Sequence, residues 1–305
     1  MTSFDTTPQL NVWRALLALA VVFVMLATTG WTALRHHRGA APLQASISAW
    51  EHGSIAGHRL PAADSPPTRL AAFFDSLTEH QRAHLVRRYP LAIGNMNGAP
   101  VELRYRANRV ALGEARDVER KRVHDKGLTP DGQREAARRA ERFGVLMRSD
   151  RRILAFDPAG TGRAAEVFGD LERAERVSVV VPGVDTNLLT LERGGVKRNA
   201  APVGMAQSLY GAERSARPGS RTAVIAWADY TAPVGIGMDA ALGGLAAEGA
   251  VRLNALVEAL PGTSDVSLFC HSYGSVLCGV AARGLPSRVS DIAVAESSPS
   301  PPGEV

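Results

Sequence analysis

Hydrophobic residues are distributed along this chain in three successive patterns. From Ala15 to Leu34 there are twenty residues without a charge, apolar on every side of a helix. From about 68 to 152 apolar positions recur at helical spacing among many charges, as in Leu70-Ala-Ala-Phe-Phe-Asp-Ser-Leu77 and Leu85-Val86. After Arg152 short apolar runs alternate with helical stretches. Strands are expected at Arg152–Phe156, Ala164–Phe168, Val177–Val181, Thr222–Trp227, Val266–Cys270 and Asp291–Ala295. Helices are expected over part of Pro202–Glu213, over Ala240–Leu260 with Asp239 as its cap, and from Ser275 onward. Strands alternating with helices imply a mostly parallel sheet covered by helices on both faces.

These patterns divide the chain into a tail (1–14), a membrane anchor (15–34), a linker (35–67), a leading helical segment (68–152), an α/β core (153–296) and a disordered tail (297–305). The linker reading rests on the Ala, Gly, Ser and Pro content of 39–67, ending at Ser65-Pro-Pro67. Within the helical segment Pro90 is expected to end a helix, Ile93 to Pro100 to form a turn-rich loop, and Thr129-Pro130-Asp131 to start a new helix. Twenty residues at 1.5 Å each span a bilayer's hydrocarbon core, and Trp13 and Trp31 sit near the ends where amphipathic rings suit an interface. A single-pass anchor is the preferred reading. A cleaved signal peptide, with secretion, is the alternative. Arg14 on one side and Arg35 and Arg38 on the other leave the orientation open.

With 305 residues, 45% of them hydrophobic, the chain is long enough for one large α/β domain. Its net charge of +5 is concentrated between Val101 and Arg152, which hold 15 Lys/Arg against 9 Asp/Glu. The preferred reading is solvated helix faces with Arg–Glu pairs; a surface for anionic lipid is the weaker one. No aromatic interleaving or nucleic-acid motif accompanies the basic residues, so no nucleic acid is expected. The only cysteines, Cys270 and Cys278, do not make a disulfide framework and read as small core residues.

The candidate chemistry lies in Val266-Ser-Leu-Phe-Cys-His-Ser-Tyr-Gly-Ser275. A strand, a sharp turn bearing Ser272 and a helix make the layout of a nucleophile elbow, with Cys270, His271 and Gly274 around the serine. Cys270 replaces the first glycine of the strict pattern. Such a serine needs oxyanion donors. The backbone N–H of Tyr273 is one, and the loop after an earlier strand, Val181-Pro182-Gly183-Val184, offers the N–H of Val184 as the other. The competing reading of Pro182-Gly183 is a plain strand end.

Several stretches resemble a bacterial α/β-hydrolase family common in actinobacteria, many of whose members are filed as a domain of unknown function. They are Leu77-Thr78, Ile93-Gly94-Asn95, Arg106-Ala-Asn-Arg109, Leu154-Ala-Phe-Asp-Pro158, Val181-Pro-Gly183, Ala226-Trp227 and His271-Ser-Tyr-Gly-Ser275. The resemblance spans about residues 70 to 295 and implies an α/β-hydrolase fold and a serine hydrolase of unspecified ester, thioester or amide substrate. It also implies an acid and a histidine after the serine. No histidine follows Ser272, and Asp291, Glu296 and Glu304 are the only acids there. Asp291 opens a strand, at the wrong end for an active-site acid; Glu296 lies nearer the right end but earlier than the usual acid. The last strand–helix units of the family are therefore expected to be missing, through a shortened chain. His36, His37, His52, His58, His80, His84 and His124 all lie upstream, and the last three are expected to be solvated. The alternative is a catalytically inactive α/β-hydrolase-like domain serving as an interaction protein. A small-molecule or lipid-like acyl substrate suits the first reading. No cofactor or metal is expected, since no metal-ligand spacing, dinucleotide fingerprint or P-loop is present.

Overall fold

In this computed structural model the described residues are 41–192, 201–235, 237–241 and 243–295. The expectations placed on 1–40 and on 296–305, including the anchor, Glu296 and the shortened end, lie outside them. Among the described residues no helix is long and apolar enough to cross a membrane.

The stretch read as a linker is structured from Pro42. Helix α1 (Pro42–Glu51) is followed by a two-strand hairpin, β1 (Ser54–Ile55) and β2 (His58–Arg59). The apolar residues within the polar sequence decide this. Trp50 is fully buried, its indole N–H donates to Pro61 O at 2.7 Å, and its ring meets Phe73, Phe74 and Tyr89. These partners come from α2 (Pro67–Asp75) and the end of α3 (Glu79–Arg88), where Thr78 and Gln81 form a capping box. As expected, the helix before Pro90 stops there, α3 closing at Arg88 with Tyr89 as its cap. Pro90 is also the first residue of a new helix, α4 (Pro90–Asn95), where a missing N–H costs nothing, so Ile93 to Asn95 are helical and the loop is confined to 96–100. Helices α5 (Val101–Val123) and α6 (Pro130–Leu146) then pack on each other, and the Thr129 hydroxyl accepts from Gly132 N.

The sheet has six strands in the order β3-β4-β6-β5-β7-β8: β3 (Ile153–Asp157), β4 (Arg163–Gly169), β5 (Arg176–Val181), β6 (Thr222–Ala228), β7 (Asp265–His271) and β8 (Val289–Ala295). Pairs β3/β4 and β4/β6 are antiparallel; β6/β5, β5/β7 and β7/β8 are parallel. The crossovers are α7 (Pro202–Ala216), α9 (Gly244–Glu258) and α10 (Tyr273–Ala281). The single long helix expected over 240–260 is instead a short α8 (Met238–Ala241) and α9, with the chain turning at Gly243, φ 67°. Strand β6 is buried throughout and β5 from Val177 on, as apolar runs covered on both faces must be. One face packs Val179, Val181, Leu268 and Cys270 against Leu253 of α9 and Leu277 of α10. The other packs Val180, Val224 and Ala226 against Leu112, Phe143 and Val203 of α5, α6 and α7.

This connectivity makes the crevice. Adjacent strands β5 and β7 send their following helices to opposite faces, so the loops after Val181 and after His271 diverge at the carboxyl end of the sheet. In open α/β sheets ligands bind where connections part in this way.

Candidate active site

Ser272 sits at the end of β7 and caps α10 with a backbone of φ 54° and ψ −123°. This is a conformation that costs a non-glycine residue on the order of 1–3 kcal/mol and is held only by its surroundings. Those surroundings are specific. Ser272 N–H donates to Ala295 O at 2.9 Å, extending the pairing of β7 with β8, while Ser275 N–H closes the turn on Ser272 O at 2.8 Å. The Ser275 hydroxyl donates back to Cys270 O at 3.0 Å.

The neighbouring turns leave no room for side chains. A Cβ on Gly274 would lie 2.4 Å from Val181 O and 2.7 Å from Pro182 O; one on Gly183 would lie 2.6 Å from Ser272 Cβ and 2.9 Å from its Oγ. The elbow and the Pro182-Gly183 loop, eighty-odd residues apart in sequence, are thus in contact through their glycines. Tyr273 follows the serine with its ring buried, and its hydroxyl accepts from Ala246 N at 3.1 Å, satisfying an open N–H at the start of α9. The Tyr273 N–H is itself among the open donors in the first turn of α10. Val184 is half-buried beyond Gly183. Among the described residues neither the Gly183 N–H nor the Val184 N–H donates a hydrogen bond.

The remaining candidates divide. His271 is the last residue of β7, half-buried and facing away from Cys270 by strand alternation. The two cysteines are not merely small core residues: Cys270 and Cys278 form a disulfide, with Cα atoms 6.5 Å apart and both residues buried. It replaces the missing first glycine of the motif with a covalent tie from β7 to α10 beneath the serine. Asp291 lies near the start of β8 and accepts from the Ser290 hydroxyl, at the amino end of the strand and away from Ser272. His52, His58, His80, His84 and His124 are exposed. Among the described residues no side chain hydrogen-bonds the Ser272 hydroxyl.

Sequence reasoning missed the segment after β6. Tyr230 is buried, stacks on Trp227 with centroids 5.7 Å apart, and donates its hydroxyl to Pro182 O at 2.6 Å. Asp229 beside it takes a two-pronged ion pair from Arg252 at 2.7 and 2.8 Å. The only hint in the sequence is a tyrosine three residues past a buried strand tryptophan. Surface clefts lined by Arg138, Arg142 and Glu192, and by Glu172, Arg173 and Arg221, contain none of the elbow residues.

Residues 157–302 match a family model described as alpha/beta hydrolase. The mostly parallel sheet with helices on both faces, described above, is the architecture that this description names. Among curated proteins the chain is similar to the uncharacterized protein Rv2079 of Mycobacterium tuberculosis, 30% identical over an alignment of 251 residues that covers 71% of this chain and 37% of that protein. It is also similar to the uncharacterized protein Rv0963c of the same species, 33% identical over 150 residues, 46% of this chain and 54% of that one. The chain therefore spans little more than a third of the length of the first of these relatives. No solved structure matches it significantly.

Proposed function

We propose that the chain carries the nucleophile half of a serine hydrolase acting on an ester, thioester or amide. The observation that carries this reading is the left-handed backbone of Ser272 against Gly183, a pairing in which only glycine fits opposite the hydroxyl. In the proposed reaction Ser272 Oγ attacks the acyl carbon and its proton passes to a base. The carbonyl oxygen becomes an oxyanion facing the N–H groups of Tyr273 and Val184. Collapse of the intermediate breaks the bond to the alcohol, thiol or amine, which leaves with that proton. Water then cleaves the acyl-serine to release the acid and restore the hydroxyl. The base and its orienting acid are not assigned to residues of this chain. The apolar run 15–34 is proposed to hold the domain at a membrane, where a lipid-like acyl substrate is accessible.

A fluorophosphonate probe tests the reading: folded protein labels, and Ser272→Ala abolishes the label. The second reading, a catalytically inactive domain that binds a partner, is favoured by the lack of any described side chain on the Ser272 hydroxyl and by the exposure of β8, which no described strand pairs on its outer side. Folded, monodisperse protein that takes up no probe sinks the hydrolase reading and leaves this one.

A further inference from the structure

We infer that Tyr230 is a positioning residue that sets the direction of the oxyanion-loop N–H groups, acting from behind the loop without touching the substrate. In a trans peptide the C=O and the following N–H point in opposite directions, and the described chain contains no cis bond. The Tyr230 hydroxyl donates at 2.6 Å to Pro182 O and has Gly183 O at 3.3 Å. Both carbonyls are therefore turned toward the phenol, and the N–H groups sharing their peptide planes, those of Gly183 and Val184, are turned away from it. Neither of these two amides has an acceptor among the described residues, whereas the next one, Asp185 N–H, does. The Cα of Gly183 lies against Ser272 Cβ and Oγ.

Two further bonds from the same segment complete the brace. Asp185 N–H donates to Pro233 O at 2.9 Å, and Asp185 Oδ1 accepts from Gly235 N–H at 2.9 Å, holding Asp185 at φ 58°. The Thr190 hydroxyl donates to Asp185 O at 2.8 Å from the far end of the loop. Of the amides of residues 183 to 185, one is spent on the brace and two have no acceptor among the described residues. A flip of either peptide plane would put a carbonyl where the oxyanion needs a donor, and it would have to break the Tyr230 bond first. Burial holds the phenol well above its ordinary pKa, so it remains a donor through the working pH range.

This inference rests on the hydrolase reading for its catalytic consequence but not for its structural one, and the experiment separates them. Tyr230→Phe keeps the ring on Trp227 and removes only the donor. Losing an oxyanion donor outright costs about 100- to 1000-fold. A donor left in place but no longer held is expected to slow the maximal rate of fluorophosphonate labelling of Ser272 by roughly 10- to 30-fold, with the half-saturating probe concentration changed less than twofold. In parallel, the backbone amide resonances of Gly183 and Val184 are expected to shift and to exchange faster with solvent, while those of α9 stay unchanged. If wild-type protein labels and Tyr230→Phe labels at the same maximal rate, or loses only probe affinity, the inference is overturned. If wild-type protein does not label at all, the hydrolase reading fails and the amides decide: unchanged Gly183 and Val184 overturn the brace, and faster exchange retains it.

Discussion

The two edges of the sheet end in opposite ways. At β3 the outer backbone is met by side chains that imitate a further strand. Asn95 Nδ2 donates to Phe156 O at 2.7 Å, Phe156 N–H donates back to Asn95 Oδ1 at 3.0 Å, and Asn108 Nδ2 donates to Ile153 O at 2.9 Å. Every residue of the strand is buried, Ile153 and Phe156 among Leu112 of α5 and Phe143 and Leu146 of α6. At β8 nothing described pairs the outer backbone. Ile292 and Val294 are 42% and 61% exposed, and Val276 and Val280 on the flank of α10 are 47% and 46% exposed. Parallel register puts Ile292 and Val294 beside Leu268 and Cys270, on the face that α10 covers for β7 but not for β8. One edge is therefore a built terminus, with backbone groups of Ile153 and Phe156 met by side chains and the apolar residues buried. The other has the composition of an interior strand in an outer position, the arrangement that invites further pairing.

Four measurements break or sharpen this contrast. The largest effect is expected at the closed edge. Asn95→Ala strips partners from both the N–H and the C=O of buried Phe156, which at about 1–3 kcal/mol for each unsatisfied group predicts a loss of about 3 kcal/mol in urea unfolding. A loss below about 1 kcal/mol would mean that the edge is closed by packing alone. Next comes the disulfide tie on the open half. Replacing Cys270 and Cys278 with Ala, or unfolding in reductant, is expected to cost about 2.5 kcal/mol by loop-closure entropy over this short loop. Equal midpoints with and without reductant would show that the tie adds nothing. Third, the exposed β8 edge is expected to make the protein self-associate in sedimentation velocity, and Ile292→Lys with Val294→Lys to reduce that association while leaving stability within about 0.5 kcal/mol, as exposed sites do. Undiminished association would locate the adhesive surface elsewhere.

The smallest effect concerns the exposed ion pair between Glu79 of α3 and Arg106 of α5. Its hydrogen bond and then its charge hold the Glu79 carboxyl below its ordinary pKa. A depressed carboxylate contributes stability above its unfolded pKa and loses it as pH falls through the folded value. Arg106→Gln should therefore narrow the gap in Tm between neutral and acid pH slightly, with no change at the acid end. An unaltered Tm–pH curve would assign this pair no role, the common result for surface ion pairs.

Much of the core was legible because its information is local. Five-residue apolar runs identify the strands, Pro130 and Thr129 the start of α6, and the strand–turn–helix around Ser272 the elbow. The errors have one cause. Ile93 to Pro100 read as loop because Pro90 stops one helix, yet Tyr89 turns the chain and Pro90 begins another. Trp50 lies in a polar stretch whose average says linker, and a single indole finding Pro61 and three rings overrides that average. Cys270 and Cys278, eight positions apart, carry no spacing signal. Only the reversal of direction from β7 into α10 brings their Cα atoms to 6.5 Å.

By itself, the sequence determined the succession of the six core strands, the turn that bears Ser272 and the glycines flanking it. These follow from the period of apolar residues and from backbone conformations that only certain residues tolerate, both properties of neighbouring positions. Only the tertiary structure decided that Gly183 faces Ser272, that Tyr230 turns the loop carbonyls away, that two asparagines close β3, and that no described strand pairs β8 on its outer side. Each depends on groups tens of residues apart meeting within hydrogen-bond or van der Waals distance, or failing to, and such meetings leave no periodic trace in the chain.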